Sequence, residues 1–375
     1  SPVFRVTTPA FSSVRFDTQF MLVHAVDHEE PEVDNHELID GCYMKPKDAI
    51  DAWLNGKMLI APPVLALLHL LASHSLDAFV AAAKKETLYL DQGGLHPIYF
   101  SPGIFIAPLL TRTLAPATTT NCFIVGTDKL YLVDPGTDNH PEQLRLCAKI
   151  DSFLGEGKTL EAILLTHHHR DHIGAVNAIS EQYQLPVRAH ALCYPHLDEG
   201  YIKGDALRPG ECLDLGIAPD GSADWHLRVL HSPGHTPDHL CFLESRYQAA
   251  IVGDMLSSVS TILIDPPLGH MRSYLDSLRA LLTHRIQTIY PAHGLPVRDG
   301  PRLIRDYLKH REAREQSTIL ALTRRARSLE ALLPQVYPEI PTNAYALAAR
   351  SLLAGLIKLE EDGICRQVAH QWRLA

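Results

Sequence analysis

The chain has 375 residues, 46% of them apolar and 21% charged, which is room for two or three ordinary domains that each bury a core. That balance excludes disordered, collagenous and coiled-coil classes. The net charge of −9 is unevenly spread: from Pro301 onward 12 Lys and Arg face 8 Asp and Glu, against 22 and 35 before it, so either a polyanion contact or a solvated helix face is expected near the C-terminus.

In chain order, residues 1–95 form a first zone. A strand pair is expected around 15–26, followed by an acidic stretch, DHEEPEVDNHELID, and by helical sequence over 47–84 interrupted at Pro62 and Pro63. The most apolar run, 59–72, is shorter than the roughly 18 residues a membrane span needs and reads as buried helix. A Gly- and Pro-bearing stretch, 91–103, closes the zone. From 104 to about 294, short apolar runs at 121–125, 130–133, 162–165, 227–230, 249–252 and 288–290 alternate with amphipathic stretches such as 174–184. That rhythm is α/β. Residues 301–327 read as a long charged connector helix, with eight Lys and Arg against three acids. Ser328 caps a short helix ending by Pro334. Thr342 or Asn343 opens another that turns Leu347, Leu352, Leu356 and Leu359 to one side, Gly363 stops it, and 364–374 forms a β wing.

Seven cysteines, an odd number with no CxxC pair, favour reduced thiols and a cytoplasmic location over a disulfide frame. No basic, apolar, small-residue leader opens the chain, so a signal segment is expected to be absent or already removed.

Histidine is the anomaly, with 22 copies, and it raises the expectation of metal ligation. In LLTHHHRDHIGA an apolar strand runs into a polar loop and then a helix. The pattern HxHxDH sets three imidazoles and a carboxylate, His167, His169, His172 and Asp171, within six residues, and alternate positions can serve two ions. His235 in HSPGHTPDH, Asp254 in AAIVGDM and His293 in TIYPAHG follow, each just after a predicted strand. Five His and two Asp suffice for two metals sharing one carboxylate and one water. His168, Arg170 and His239 lie beside them and are expected to be exposed or packed.

LVDPG, THHHRDH, SPGHT, GDM and PAHG resemble the five ordered motifs of the metallo-β-lactamase superfamily over about 104–294. The resemblance implies an αββα sandwich with metals at the edge of its sheets. It implies that His167, His169 and His235 hold one metal, that Asp171, His172 and His293 hold the other, and that Asp254 bridges. Asp134 of LVDPG would stand behind a ligand and orient it. Ala175 departs from the glycine usual there, with an expected effect on local packing alone. A bridging Asp254 sets the chain apart from true β-lactamases, and His169 from flavodiiron relatives, which carry Glu. Only 39 positions separate Asp254 from His293, too few for the insertions of β-CASP nucleases or tRNA 3′-processing enzymes.

The tail, YLKHREAREQSTILAL with LLPQVYPEIP and AARSLLAGLIKLEEDG, resembles the winged-helix end of the beta-lactamase-like protein 2 family, which includes an endoribonuclease acting on single-stranded RNA. Yet its second helix carries only Arg350 and Lys358 and ends in Glu360, Glu361 and Asp362, a poor phosphate surface, so packing or homodimer contact is the expectation. PAFSSVRFDTQFMLVHA and the helical sequence after it resemble the C-terminal half of a Nudix domain. No Nudix box with its glutamates follows, so a degenerate, structural Nudix-like α+β domain is expected.

The sequence therefore predicts a Nudix-like domain over 1–95, a metallo-β-lactamase-fold catalytic domain over 104–300, and a connector helix with winged helix over 301–375. The expected activity is dinuclear zinc-dependent hydrolysis, with iron or manganese as alternative metals. A metal-bridging hydroxide would attack an ester, thioester or lactone of a small molecule, and Asp171 would accept its proton. The alternatives are cleavage of single-stranded RNA and a non-catalytic winged-helix binding protein.

Overall fold

The computed structural model describes residues 1–9, 11, 12, 14–24, 33, 36 and 41–375. Apart from Val33 and His36, the acidic stretch 27–40 lies outside the described residues. At the N-terminus β1 (Pro2–Thr7) pairs antiparallel with β2 (Asp17–Met21). The expected pair over 15–26 is thus one strand, and its partner is the first run of the chain, because Val3 and Phe4 bury against Phe79 and Ala83. Three helices follow, α1 (Pro46–Leu54), α2 (Pro62–Ser73) and α3 (Leu76–Asp91). Pro62 and Pro63 open α2 rather than interrupt a helix, since N–H groups of a first turn have no intrahelical partner to lose. The 59–72 run is also not a buried helix: Leu65 is buried, but Leu59 and Val64 are exposed, as α2 is shared between two small clusters instead of entering one core. Among the described residues, no group of side chains set to hold a metal occurs in this part of the chain.

Two sheets form the centre. The first runs in the order β3 (Ile98–Tyr99), β4 (Ile104–Leu110), β5 (Thr119–Gly126), β6 (Lys129–Val133), β7 (Thr159–Leu164), β8 (Pro186–Arg188), β9 (Ile202–Lys203). The second runs β10 (Cys212–Gly216), β11 (Trp225–His231), β12 (Leu240–Glu244), β13 (Ala249–Gly253), β14 (Thr288–Pro291). β5 has almost no polar face because it is covered on both sides: Cys122 and Ile124 enter the outer cluster, Phe123 and Val125 the cluster between the sheets. Leu227, Val229 and Phe242 reach that inter-sheet cluster from the other side. On the outer face of the first sheet lie α4 (His140–Gly155) and, after the short α5 (Arg170–Ile173), α6 (Val176–Tyr183). Outside the second sheet lie α7 (Met271–Leu281) and α8 (Gly300–Ala321). The layers are αββα, the fold expected from the sequence.

The C-terminal part contains α9 (Leu329–Val336), α10 (Tyr345–Glu361) and a wing of β15 (Cys365–Val368) and β16 (Gln371–Leu374) around its own cluster. Three details differ from expectation. α8 stops at Ala321, so Arg324, Arg325 and Arg327 lie beyond it, and Arg327 exchanges backbone hydrogen bonds with Trp372 of the wing. α9 continues past Pro334 to Val336. Leu352, Leu356 and Leu359 enter the cluster, but Leu347 does not. Ala348 takes its place, because five residues at 3.6 per turn rotate Leu347 roughly 140° away from Leu352. Polar contacts fasten α10 to the catalytic layers: Arg350 to Asp265 at 2.6 Å, Arg272 to Asp362 at 2.6 Å, and Lys358 to Glu315 at 2.5 Å. No helix among the described residues is long and apolar enough to cross a membrane.

Candidate metal centre

Strand ends deliver the polar residues. β7 ends at Leu164 and leads into His167 and His169, with α5 turning Asp171 and His172 inward. β11 leads to His235. β13 and β14 are parallel neighbours, with Gly253 beside Pro291, and this register sets Asp254 and His293 side by side. Close backbone approach is needed behind the loop, where a Cβ on Gly136 of the LVDPG turn would lie 1.7 Å from the Asp171 carbonyl oxygen.

All seven expected residues come together, in two groups. His167, His169, His235 and Asp254 form one, and Asp171, His172 and His293 the other, with the ligand atoms of each within 4.8 Å of one another. In the first group His167 Nε2 and His235 Nε2 each lie 3.0 Å from His169 Nδ1, and Asp254 Oδ2 lies 3.4 Å from His235 Nε2. A tetrahedral ion with ligands about 2.1 Å away has edges of roughly 3.4 Å, so the spacing fits one. In the second group Asp171 Oδ2 is 3.5 Å from His293 Nε2. The other oxygen of Asp254, Oδ1, faces this group, 3.3 Å from His293 Nε2 and 3.6 Å from His172 Nε2. His172 Nε2 and Asp254 Oδ1 are buried without a hydrogen-bond partner. A buried lone pair and a carboxylate oxygen left facing each other are costly, and a divalent cation between them satisfies both.

Four of the five remaining ring nitrogens have partners. His235 Nδ1 donates to the Leu263 carbonyl at 2.9 Å and His293 Nδ1 to the Thr119 carbonyl at 2.9 Å. His172 Nδ1 meets Asp134 Oδ2 at 2.8 Å. Thr166 Oγ1 donates to Asp134 at 2.6 Å and lies 3.0 Å from His167 Nδ1. These bonds aim the Nε2 lone pairs inward. Burial holds His167, His169 and His235 below the ordinary imidazole value, His169 at about 3, which keeps them neutral and able to ligate. Burial acts the same way on His172 and His293, but the carboxylates outweigh it: Asp134 and Asp254 raise His172, and Asp254 raises His293. Burial alone would raise Asp254, yet His293 and His172 hold it well below the carboxylate range.

His168, Arg170 and His239 stay out of both groups. His168 pairs with buried Asp238 at 2.8 Å, Arg170 is exposed, and His239 is buried with Nε2 accepting from the Asp254 amide at 3.1 Å. Thr166, Thr119 and Leu263 were not singled out from sequence. Thr166 at least stands inside the THHHRDH motif, whereas the two backbone carbonyls leave no residue signature.

The groups form the floor of a cleft of about 570 Å³ whose walls come from residues 112–117, from 260–268, from α8 and from α10. Three of the four arginines that line it have an acidic neighbour, Arg112 with Asp138 at 3.4 Å, Arg170 with Asp198 at 3.2 Å and Arg350 with Asp265 at 2.6 Å, and the fourth, Arg311, donates to the Ile262 carbonyl.

Comparison with known proteins gives the same picture. The profile of the Metallo-beta-lactamase superfamily matches residues 115–293, and that of the Beta-lactamase associated winged helix domain matches 328–372. The chain is 31% identical to the lactamase-like protein nscB of Arthroderma benhamiae, over 65% of its own length and 55% of that protein. It is 31% identical to the atrochrysone carboxyl ACP thioesterase of Claviceps purpurea, over 59% of its own length and 67% of that protein. It is 27% identical to the beta-lactamase-like protein 2 homolog of Drosophila melanogaster, over 66% of its own length and 84% of that protein. In three dimensions a beta-lactamase domain protein from Burkholderia ambifaria shares the fold, with a TM-score of 0.61 at 18% identity, covering 74% of this chain and 94% of that one. The chain belongs to the metallo-β-lactamase superfamily of metal-dependent hydrolases and carries that superfamily's associated winged helix at its C-terminal end.

Proposed function

We propose that the chain is a dinuclear zinc hydrolase that cleaves an ester, thioester or lactone bond of a small molecule. The observation that carries this reading is the pair of ligand groups sharing Asp254 at the floor of a cleft. His167, His169 and His235 would hold one ion, Asp171, His172 and His293 the other, and Asp254 both. Two such ions, when bound, supply a Lewis acid for the substrate oxygen and lower the pKa of a water to near neutrality. Asp171, partly exposed and lining the cleft, accepts the proton of the attacking water. Water oxygen bonds to the acyl carbon, the C–O or C–S bond breaks, and the departing alcohol or thiol takes up a proton. Asp134 keeps the His172 ring in position throughout.

Several features favour a small substrate over RNA. The edge arginines are matched by carboxylates, and two arginines of α8 turn inward: Arg311 to the Ile262 carbonyl and Arg314 to Glu339. What remains is little uncompensated positive surface at the cleft. The ACP thioesterase among the relatives points the same way. The test compares thioesters, lactones and aryl esters with single-stranded RNA, each with the zinc-loaded protein and with His169→Ala. Turnover of a carbonyl substrate that disappears in the variant is expected. RNA cleavage with no ester turnover overturns the reading.

A further inference from the structure

We propose that the winged helix is the acyl-selecting wall of this cleft, so that the substrate is a thioester or ester whose apolar acyl group reaches Leu347. The proposal rests on the hydrolase reading above and adds the class of acyl group and the residues that choose it.

Ala344, Leu347, Ala348 and Ser351 all line the cleft, and their spacing of i, i+3, i+4 and i+7 is one face of a helix. The other face of α10, with Leu352, Leu356 and Leu359, fills the core of the winged helix. α10 therefore packs one apolar side into that core, while Leu347 on its other side is left uncovered among the described residues. Leu347 is 39% exposed, and it does not stand alone. Leu268, 43% exposed, and Leu114, 52% exposed, line the same cleft from two other segments. Three part-exposed leucines from three separate segments line one cleft of ligand size and offer it apolar surface. Small residues, Ala115, Ala117, Ala344 and Ala348, keep it open.

The wall is held before substrate arrives. Arg350, one turn from Leu347 and itself lining the cleft, is tied to Asp265 on the opposing 260–268 segment, and Lys358 and Asp362 anchor the far end of α10. Binding then needs little reorganisation of the protein. The same ion pair neutralises a cation on the wall helix itself, which favours a neutral acyl group over a phosphate chain.

The experiment uses a series of unbranched acyl thioesters of N-acetylcysteamine, from acetyl to dodecanoyl, with the zinc-loaded full chain. Each methylene that reaches the wall should raise kcat/KM about fourfold. Leu347→Trp should lower the decanoyl-to-acetyl ratio by about tenfold or more, the effect of roughly two methylenes. Leu268→Trp, on the opposite segment, should do the same and serves if the first variant fails to fold. Leu320→Ala, 84% exposed on α8 and outside the cleft, should leave the ratio unchanged. In parallel, calorimetry measures binding of hexanoate and decanoate, without any turnover. A flat chain-length series in the wild type, or a ratio that neither tryptophan moves, overturns the proposal. If none of the thioesters, aryl esters and lactones is hydrolysed, the hydrolase reading has failed by itself. Decanoate binding more tightly than hexanoate, with the difference lost in the tryptophan variants, then still supports the wall, and equal binding of the two acids overturns it.

Discussion

Asp134 stands directly behind His172, its Oδ2 2.8 Å from the ring Nδ1, and the same carboxylate takes the Thr166 amide at 2.8 Å and hydroxyl at 2.6 Å. Its backbone lies at φ 51°, a conformation that side chains rarely adopt, held here by those bonds. One residue thus orients a ligand of one metal group and, through Thr166, a ligand of the other.

Asp134→Asn keeps the size but replaces one acceptor oxygen with a donor, so His172 or Thr166 loses its partner. Zinc affinity should fall about 10–100-fold, with the fold intact. Chelator competition measures it, and unchanged affinity would show that the carboxylate has no orienting role.

Protein purified without chelator and loaded with zinc should bind two equivalents, because seven ligands exceed the needs of one tetrahedral ion. Asp254→Ala should lower both occupancy and turnover, since each oxygen of Asp254 faces a different group. Elemental analysis giving one equivalent or fewer would defeat the two-metal reading.

His96, half-buried where the N-terminal part meets the first sheet, is pushed down to about 4 by burial and by Arg145 and Arg15. Its neutral form belongs to the folded state, so its contribution is complete above the ordinary value of 6.5 and is lost as pH falls from 6.5 towards 4. Solvent reaches part of the ring, which limits the loss to about 1–2 kcal/mol. His96→Gln should flatten the fall of unfolding free energy between pH 7 and 4.5. An unchanged profile would assign the acid sensitivity to other groups.

Leu356 is fully buried in the winged-helix cluster. Leu356→Ala should destabilise that part by about 2–5 kcal/mol, by lost burial and the cavity left behind. Urea unfolding followed at Trp372, also in that cluster, reports it.

Residues 1–95 lack the glutamates of a Nudix box. The His169→Ala protein should therefore show no Mg²⁺-dependent turnover of nucleoside diphosphate derivatives. Turnover well above buffer would make the N-terminal part an enzyme in its own right.

The α/β alternation and the seven converging residues were legible in the linear sequence because they depend on local spacing: apolar runs set the strands, and each polar cluster sits within a few residues of a strand end, whereas the αββα layering was implied by family resemblance. The division of Asp254 between two groups was implied by family resemblance, but its geometry comes from the parallel pairing of β13 with β14, 39 positions apart in the chain. Other features depended on contacts that no local pattern encodes. The first strand of the N-terminal hairpin was missed because its partner lies beyond the turn, and Pro62 and Pro63 read as breakers although the helix starts on them. Leu347 was placed on one side with Leu352, Leu356 and Leu359 because helical periodicity shows that a face is apolar but not what lies opposite it. Only the docking of α10, through Arg350 on Asp265 and Arg272 on Asp362, decided that Leu347 lines the same cleft as the metal groups. Periodicity is a property of neighbours in the chain, whereas a cleft is made by segments far apart in it, here 112–117 and the start of α10 at Tyr345, that meet only when the layers pack.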